Sequence, residues 1–205
     1  WSAAARAVNA VTEVDAYNEA DVVSGGETEF KGLFQVKLDK EYWPSTEAKD
    51  NNQVGELQPL AGVTFELLLA RKNANGLLEA VTGPGAFSTE FVTGCERENG
   101  TSAGYGVSIT VSLEALYTEN GGAANPDNPV KLDVDENGQP FYEADFILRE
   151  KDYPINMVYV QERYALHVKA VKNAQDADYV TVVDDYLNKD GQDNAIKNIL
   201  GEMTY

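Results

Sequence analysis

The chain has 205 residues, enough for one large β domain or two small ones with a sizeable core. Its 34 acidic against 16 basic residues give a net charge of -18, which argues against a phosphate-backbone partner, because binding one requires a basic face; no nucleic acid is expected. With 43% hydrophobic residues and 11 Tyr the composition is that of a folded protein, not an acidic disordered tail.

Residues 2–17 are Ala-rich, and Val8, Val11 and Val14 are spaced by three, which reads as one helical stripe in preference to a strand. Gly25-Gly26 then breaks the pattern. Residues 1–30 are therefore set apart as an N-terminal arm or linker, helical or extended. It serves either as an assembly arm that adds a strand or helix to a neighbouring subunit, or as a disordered tail.

From residue 34 onward short β-prone runs alternate with Gly, Asn and Pro: 34–42, 62–70, 86–93, 106–117, 130–134, 141–150, 157–171, 179–183 and 195–200. Seven or more strands with no long helical pattern between them predict an all-β fold, a sandwich over residues 31–205. One domain with long insertions and two packed sub-sandwiches both fit. The polar connections 43–59 and 117–129 read as exposed loops, the place to look for ligand recognition. No apolar run reaches the roughly 20 residues that span a bilayer, so membrane insertion is not expected. Beginning on Trp1 with no signal peptide, and ending on Met203-Thr-Tyr205 without a sortase signal of the Leu-Pro-x-Thr-Gly type, the chain reads as a processed product or an excised fragment.

Most candidate chemistry has an ordinary explanation. Cys95 is the one cysteine, so no intrachain disulfide forms and a zinc site lacks its usual companions. His167 alternates with Tyr164, Leu166 and Val168 and so points away from their face. Asp133-Val-Asp135-Glu-Asn137-Gly138 opens like a calcium loop, but its twelfth position is Ala144, and a hairpin turn is favoured. The oxygen-rich stretch 184–193 reads as a solvated turn. Carboxylate pairs are too numerous to single out a glycosidase acid and base. A phosphate loop, Gly-x-Ser-x-Gly and His-Glu-x-x-His are all missing. No conventional enzyme, cofactor or metal is expected.

Comparing strand faces gives a sharper constellation. Val36, Leu38 and Lys40 form an alternating apolar face that ends in a lysine; Phe146, Leu148 and Glu150 form one that ends in a glutamate; Ile196 leads to Asn198. Each could simply mark where a strand leaves the core. Together they are the reactants for intramolecular amide formation, in which a lysine amine displaces ammonia from an asparagine carboxamide. Burial favours the neutral amine as nucleophile and the neutral carboxylic acid that polarises the carbonyl. Proximity makes the reaction effectively unimolecular. Lys37 is the rival nucleophile, but alternation places it on the opposite face from Val36 and Leu38.

The order of these pieces from about residue 31 to 200 resembles the pilin isopeptide-linkage domains of Gram-positive surface proteins and, more distantly, the B-type repeats of collagen adhesins. Val36-Lys-Leu-Asp-Lys40 resembles the lysine-bearing strand, Leu60-Ala-Gly-Val-Thr-Phe-Glu-Leu67 the second strand, residues 141–150 the strand ending in the catalytic acid, residues 157–171 the strands that follow, and Ala195-Ile-Lys-Asn198 the closing strand. The closing strand lacks the aromatic often found before the asparagine. The resemblance implies an immunoglobulin-like or prealbumin-like β-sandwich in which Lys40 is joined to Asn198 with Glu150 as catalytic acid, a single self-crosslinking event. It further implies an extracellular structural subunit of a pilus or cell-wall adhesin, with neighbouring subunits as partners. The alternative is an adhesive module without the crosslink that grips a host glycan or protein through its loops, which exposed aromatics near Trp43 or Tyr105 would favour.

Overall fold

The alternation seen in the sequence organises the first sheet. In the computed structural model, which describes residues 6–16, 22–23, 27–28, 30–43, 58–97, 99–152, 163–172 and 199–200, Phe34, Val36, Leu38 and Lys40 are buried while Gln35, Lys37 and Asp39 between them are partly exposed. These residues belong to β4 (Leu33–Trp43), the strand around which the sheet is built. One edge of β4 carries β1 (Arg6–Ala16), antiparallel from Arg6 opposite Trp43 to Ala16 opposite Phe34. The other edge is shared in succession by β10 (Val111–Ser112), β9 (Tyr105–Val107) and β5 (Gln58–Pro59). The far edge of β1 pairs with β14 (Ile199–Leu200), so β1 stands between β14 and β4.

The second sheet is centred on β12 (Pro140–Asp152). Along one edge runs β13 (Arg163–Val171); along the other lie β11 (Lys131–Val134) and β6 (Thr64–Lys72), with β8 (Ser88–Val92) and β7 (Leu78–Ala80) beyond β6. A separate hairpin joins β2 (Val22–Val23) to β3 (Glu27–Thr28). The described chain is thus mostly strand in two antiparallel sheets, an all-β fold with little helix.

One core joins the two sheets. Phe34 and Phe146 meet edge to face at 5.1 Å between ring centres, and around them lie Val36 and Leu38 from β4, Phe65, Leu67 and Leu69 from β6, Leu148 from β12, and Tyr164, Leu166 and Val168 from β13. Burying each such side chain contributes about 1.5–3 kcal/mol, which is why the alternating stripes settle the register of both sheets.

Two local expectations are corrected. The stretch read as a helical stripe is strand β1, and the register explains the spacing of Val11 and Val14: the pairing with β4 slips between Val11 and Glu13. Val11 is opposite Leu38 and Val14 opposite Val36, so three residues of β1 match two of β4. An extra residue in one strand is a β-bulge, which converts a two-residue repeat into a three-residue one locally. The run 106–117, expected as one strand, breaks into β9, β10 and a helix, α1 (Leu113–Glu119). Ser112 caps the helix by accepting the Ala115 N–H at 3.2 Å, and Leu113 and Leu116 bury one side of it.

Within their described parts the other expected runs hold β4, β6, β8, β11, β12, β13 and β14, with β7 in addition. Residues 179–183 and 195–198, the stretch 184–193 and most of the 43–59 connection lie outside the described residues. Residues 134–140 form the β11–β12 hairpin, where the Asp135 carboxylate accepts the N–H groups of Asn137 and Gln139 at 2.9 and 2.8 Å. Within the 117–129 connection, Asn128 Nδ2 donates to the carbonyls of Tyr117 and Gly122.

On the outer face of the second sheet His167 lies between two carboxylates, with Nδ1 2.7 Å from Asp145 Oδ1 and Nε2 3.2 Å from Glu143 Oε2. The hydrogen bond to Asp145, then that to Glu143, holds its pKa above the ordinary 6.5 despite partial burial. The protonated form is therefore favoured in the fold. Its stabilising effect is complete below the unfolded value of 6.5 and is lost as pH rises through the higher folded value. In thermal unfolding from about pH 5.5 to about pH 8.5, the advantage of the native chain over His167→Gln is expected to be greatest at the acid end and to shrink toward the alkaline end. An advantage independent of pH would mean that the ring acts through packing alone.

Candidate functional site

Lys40 ends the core-facing stripe of β4 and Glu150 that of β12, so the two come from opposite sheets. Their side chains meet: Lys40 Nζ donates to Glu150 Oε1 as a buried ion pair. Lys40 is 2% exposed and Glu150 5%. Lys37, the rival nucleophile, is partly exposed on the other face. Asn198, the third member expected from sequence, lies outside the described residues.

The backbone around Lys40 is tightly specified. Its N–H donates to the Gly104 carbonyl and its own carbonyl accepts the Leu60 N–H, both at 2.8 Å. Leu60 is in turn fixed by Thr93, whose hydroxyl donates to the Leu60 carbonyl at 2.8 Å and accepts the Val63 N–H at 3.0 Å. Gly62, with φ of 85° in the left-handed region, turns the chain between them and donates to the Thr93 carbonyl. The Leu60-Ala-Gly62 stretch thus supports the lysine directly. Gly104 is equally constrained, because a Cβ there would lie 2.2 Å from the Lys40 carbonyl oxygen and 2.8 Å from the Leu60 nitrogen.

Both hydrogen-bonding groups of Lys40 therefore point to the β9 and β5 edge. On its other edge its register partner is Asn9 of β1. With no ladder hydrogen bond directed that way, Lys40 and Asn9 form a pair of the non-hydrogen-bonded kind, in which opposite Cα atoms approach most closely, to about 4.5 Å. No local sequence signal links these two positions; the pairing comes from the sheet.

Glu150 is directly opposite Phe65 of β6, and Phe65 stacks on Phe91 at 5.8 Å between ring centres. In such apolar surroundings the mutual attraction of the pair offsets a desolvation cost that would be several kcal/mol for each charge alone. The neighbouring pair on the outer face differs: Arg149 Nε and Nη2 reach Glu66 Oε2 at 2.8 and 2.7 Å with the guanidinium half exposed. There Glu66 is buried and the arginine that covers it reaches solvent.

The other singled-out residues do not join the buried pair. His167 is on the outer face, and Cys95 is exposed, bridged through its backbone to Tyr105, over whose ring the Arg97 guanidinium lies at 5.0 Å. Among the described residues no group of three or more His, Cys, Asp or Glu could hold a metal ion. Comparison with known proteins finds no matching family model, no matching curated protein and no matching solved structure.

Two outcomes follow from this geometry. Lys40→Met leaves Glu150 buried without its cation, and in urea unfolding it is expected to be less stable than the double variant Lys40→Met/Glu150→Leu by roughly 3 kcal/mol. Equal stabilities would mean that Glu150 finds water or another partner. Gly104→Ala forces the chain away from Lys40, and a loss of about 1–3 kcal/mol is expected in the same measurement.

Proposed function

We propose that the chain is a structural module of a Gram-positive-type pilus or cell-wall adhesin, tied internally by an amide bond that its own side chains make. The observation that carries the reading is the Lys40–Glu150 pair, enclosed between two apolar sheets. The Leu60-Ala-Gly62 stretch, part of the resemblance to pilin isopeptide-linkage domains, supports it by holding the Lys40 backbone. On this reading the two sheets are the layers of an immunoglobulin-like or prealbumin-like β-sandwich, and the module works outside the cell among neighbouring subunits.

The chemistry starts with a proton passing from the Lys40 ammonium to the Glu150 carboxylate, which leaves a neutral amine beside a neutral acid; in an apolar enclosure the neutral pair avoids the cost of two buried charges. The amine nitrogen attacks the carboxamide carbon of an asparagine while the Glu150 acid polarises its carbonyl. The Nζ–Cγ bond forms and the Cγ–Nδ2 bond breaks. Glu150 relays a proton from Nζ to the departing nitrogen, so ammonia leaves and Glu150 ends as the neutral acid, holding the proton it first took from the Lys40 ammonium. The resemblance names Asn198 as the asparagine. One bond forms per chain, without turnover.

The test is the intact mass of the purified protein against the mass calculated from its sequence: loss of ammonia is expected to lower it by about 17 Da. Lys40→Ala and Glu150→Ala are each expected to restore the full calculated mass. The full mass in the unsubstituted chain would overturn the reading.

A further inference from the structure

The strand order of the first sheet bears on which asparagine reacts. β4 has β10, β9 and β5 on one edge and β1 on the other, so both edges of the lysine strand are taken by strands other than β14. β14 lies one strand further out, with Ile199 opposite Asn9, and Asn9 in turn opposite Lys40. Adjacent strands are about 4.8 Å apart, so β14 and β4 are separated by roughly twice that. The position next to Lys40 in the sheet belongs to β1, and the residue holding it is an asparagine.

The kind of pairing adds to this. Lys40 turns its N–H and carbonyl toward Gly104 and Leu60, so its pairing with Asn9 is of the non-hydrogen-bonded type, in which opposite Cα atoms approach most closely. Another asparagine, Asn120, is buried but committed elsewhere: its Nδ2 donates to the Leu116 and Gly85 carbonyls at the end of α1.

We infer that the carboxamide joined to Lys40 is that of Asn9, the residue that the β1–β4 register sets opposite the lysine, and not one supplied by the last strand. The inference rests on the self-crosslinking reading above and changes its acceptor. The bond formed is Lys40 Nζ to Asn9 Cγ, the bond broken is Asn9 Cγ–Nδ2, and ammonia is released through the Glu150 relay. Residues 1–30 then include a strand covalently fixed to the body of the domain.

Tryptic peptides of the whole protein, sequenced by tandem mass spectrometry, decide the matter alongside intact masses of variants. A branched peptide joining Lys40 to Asn9 is expected, with cleavage after Lys40 blocked. Asn9→Ala is expected to show its full calculated mass, while Asn198→Ala keeps the deficit of about 17 Da. Asn9→Asp keeps the acceptor carbon and closes the same amide by loss of water, a deficit of about 18 Da against its own calculated mass, so the assignment is tested even where alanine disturbs β1. A branched peptide ending at Asn198, or a deficit that survives Asn9→Ala, overturns the Asn9 assignment and leaves the crosslink standing. The full calculated mass in the unsubstituted chain overturns both.

Discussion

A lysine ammonium and a glutamate carboxylate enclosed between apolar sheets are stabilised there by facing each other. Either one alone would draw in water or lose its charge, so the Lys40–Glu150 contact fixes how the ends of β4 and β12 are set against each other. The surrounding structure follows from that requirement. Lys40 must be held at one depth, which Gly104 and Leu60 do by taking both of its backbone groups. Leu60 must be held in turn, which Thr93 does with one hydroxyl used as donor and acceptor. Three separate stretches of chain thus converge on one residue.

How far this was visible in the sequence differs from residue to residue. The alternation through Val36, Leu38 and Lys40 and through Phe146, Leu148 and Glu150 put both charged groups at the ends of core-facing stripes, and the structure brings the two together. Alternation is a local property, so it can be read from a local window. In β1 the bulge between Val11 and Glu13 leaves Val11 and Val14 three apart against two residues of β4, a spacing that a helix would also give. Helix α1 was missed because β-prone residues precede it; the signal available was Ser112 ahead of Leu-Glu-Ala-Leu, a cap followed by good helix formers.

The facing of Asn9 and Lys40 was illegible for a deeper reason. It depends on which strand occupies one edge of β4 and in which register, and neither is written in any window containing only one of the two strands. A resemblance that runs from the lysine strand to a closing strand directs attention to the end of the chain. The sheet instead seats the first strand beside the lysine.

The location of this pair in the β1–β4 ladder gives the proposed bond a mechanical meaning. Arg6 opposite Trp43 is the open end of the ladder, followed by Ala7 with Tyr42, Val8 with Glu41, and then Asn9 with Lys40. Force that separates the chain at Arg6 from the chain at Trp43 loads these pairs one after another, as a zipper is loaded, and a zipper fails at the strength of a single pair. With an amide at the fourth pair, unzipping stops after three, and the pairs from Val11 opposite Leu38 onward are shielded. By analogy with disulfides, closing a loop of this size also removes unfolded-state freedom equivalent to roughly 3–4 kcal/mol. A bond at the closed end of the same ladder would add little of either, because the chain connection already holds those residues near each other; the open end is where a covalent tie changes what the strand pair can bear.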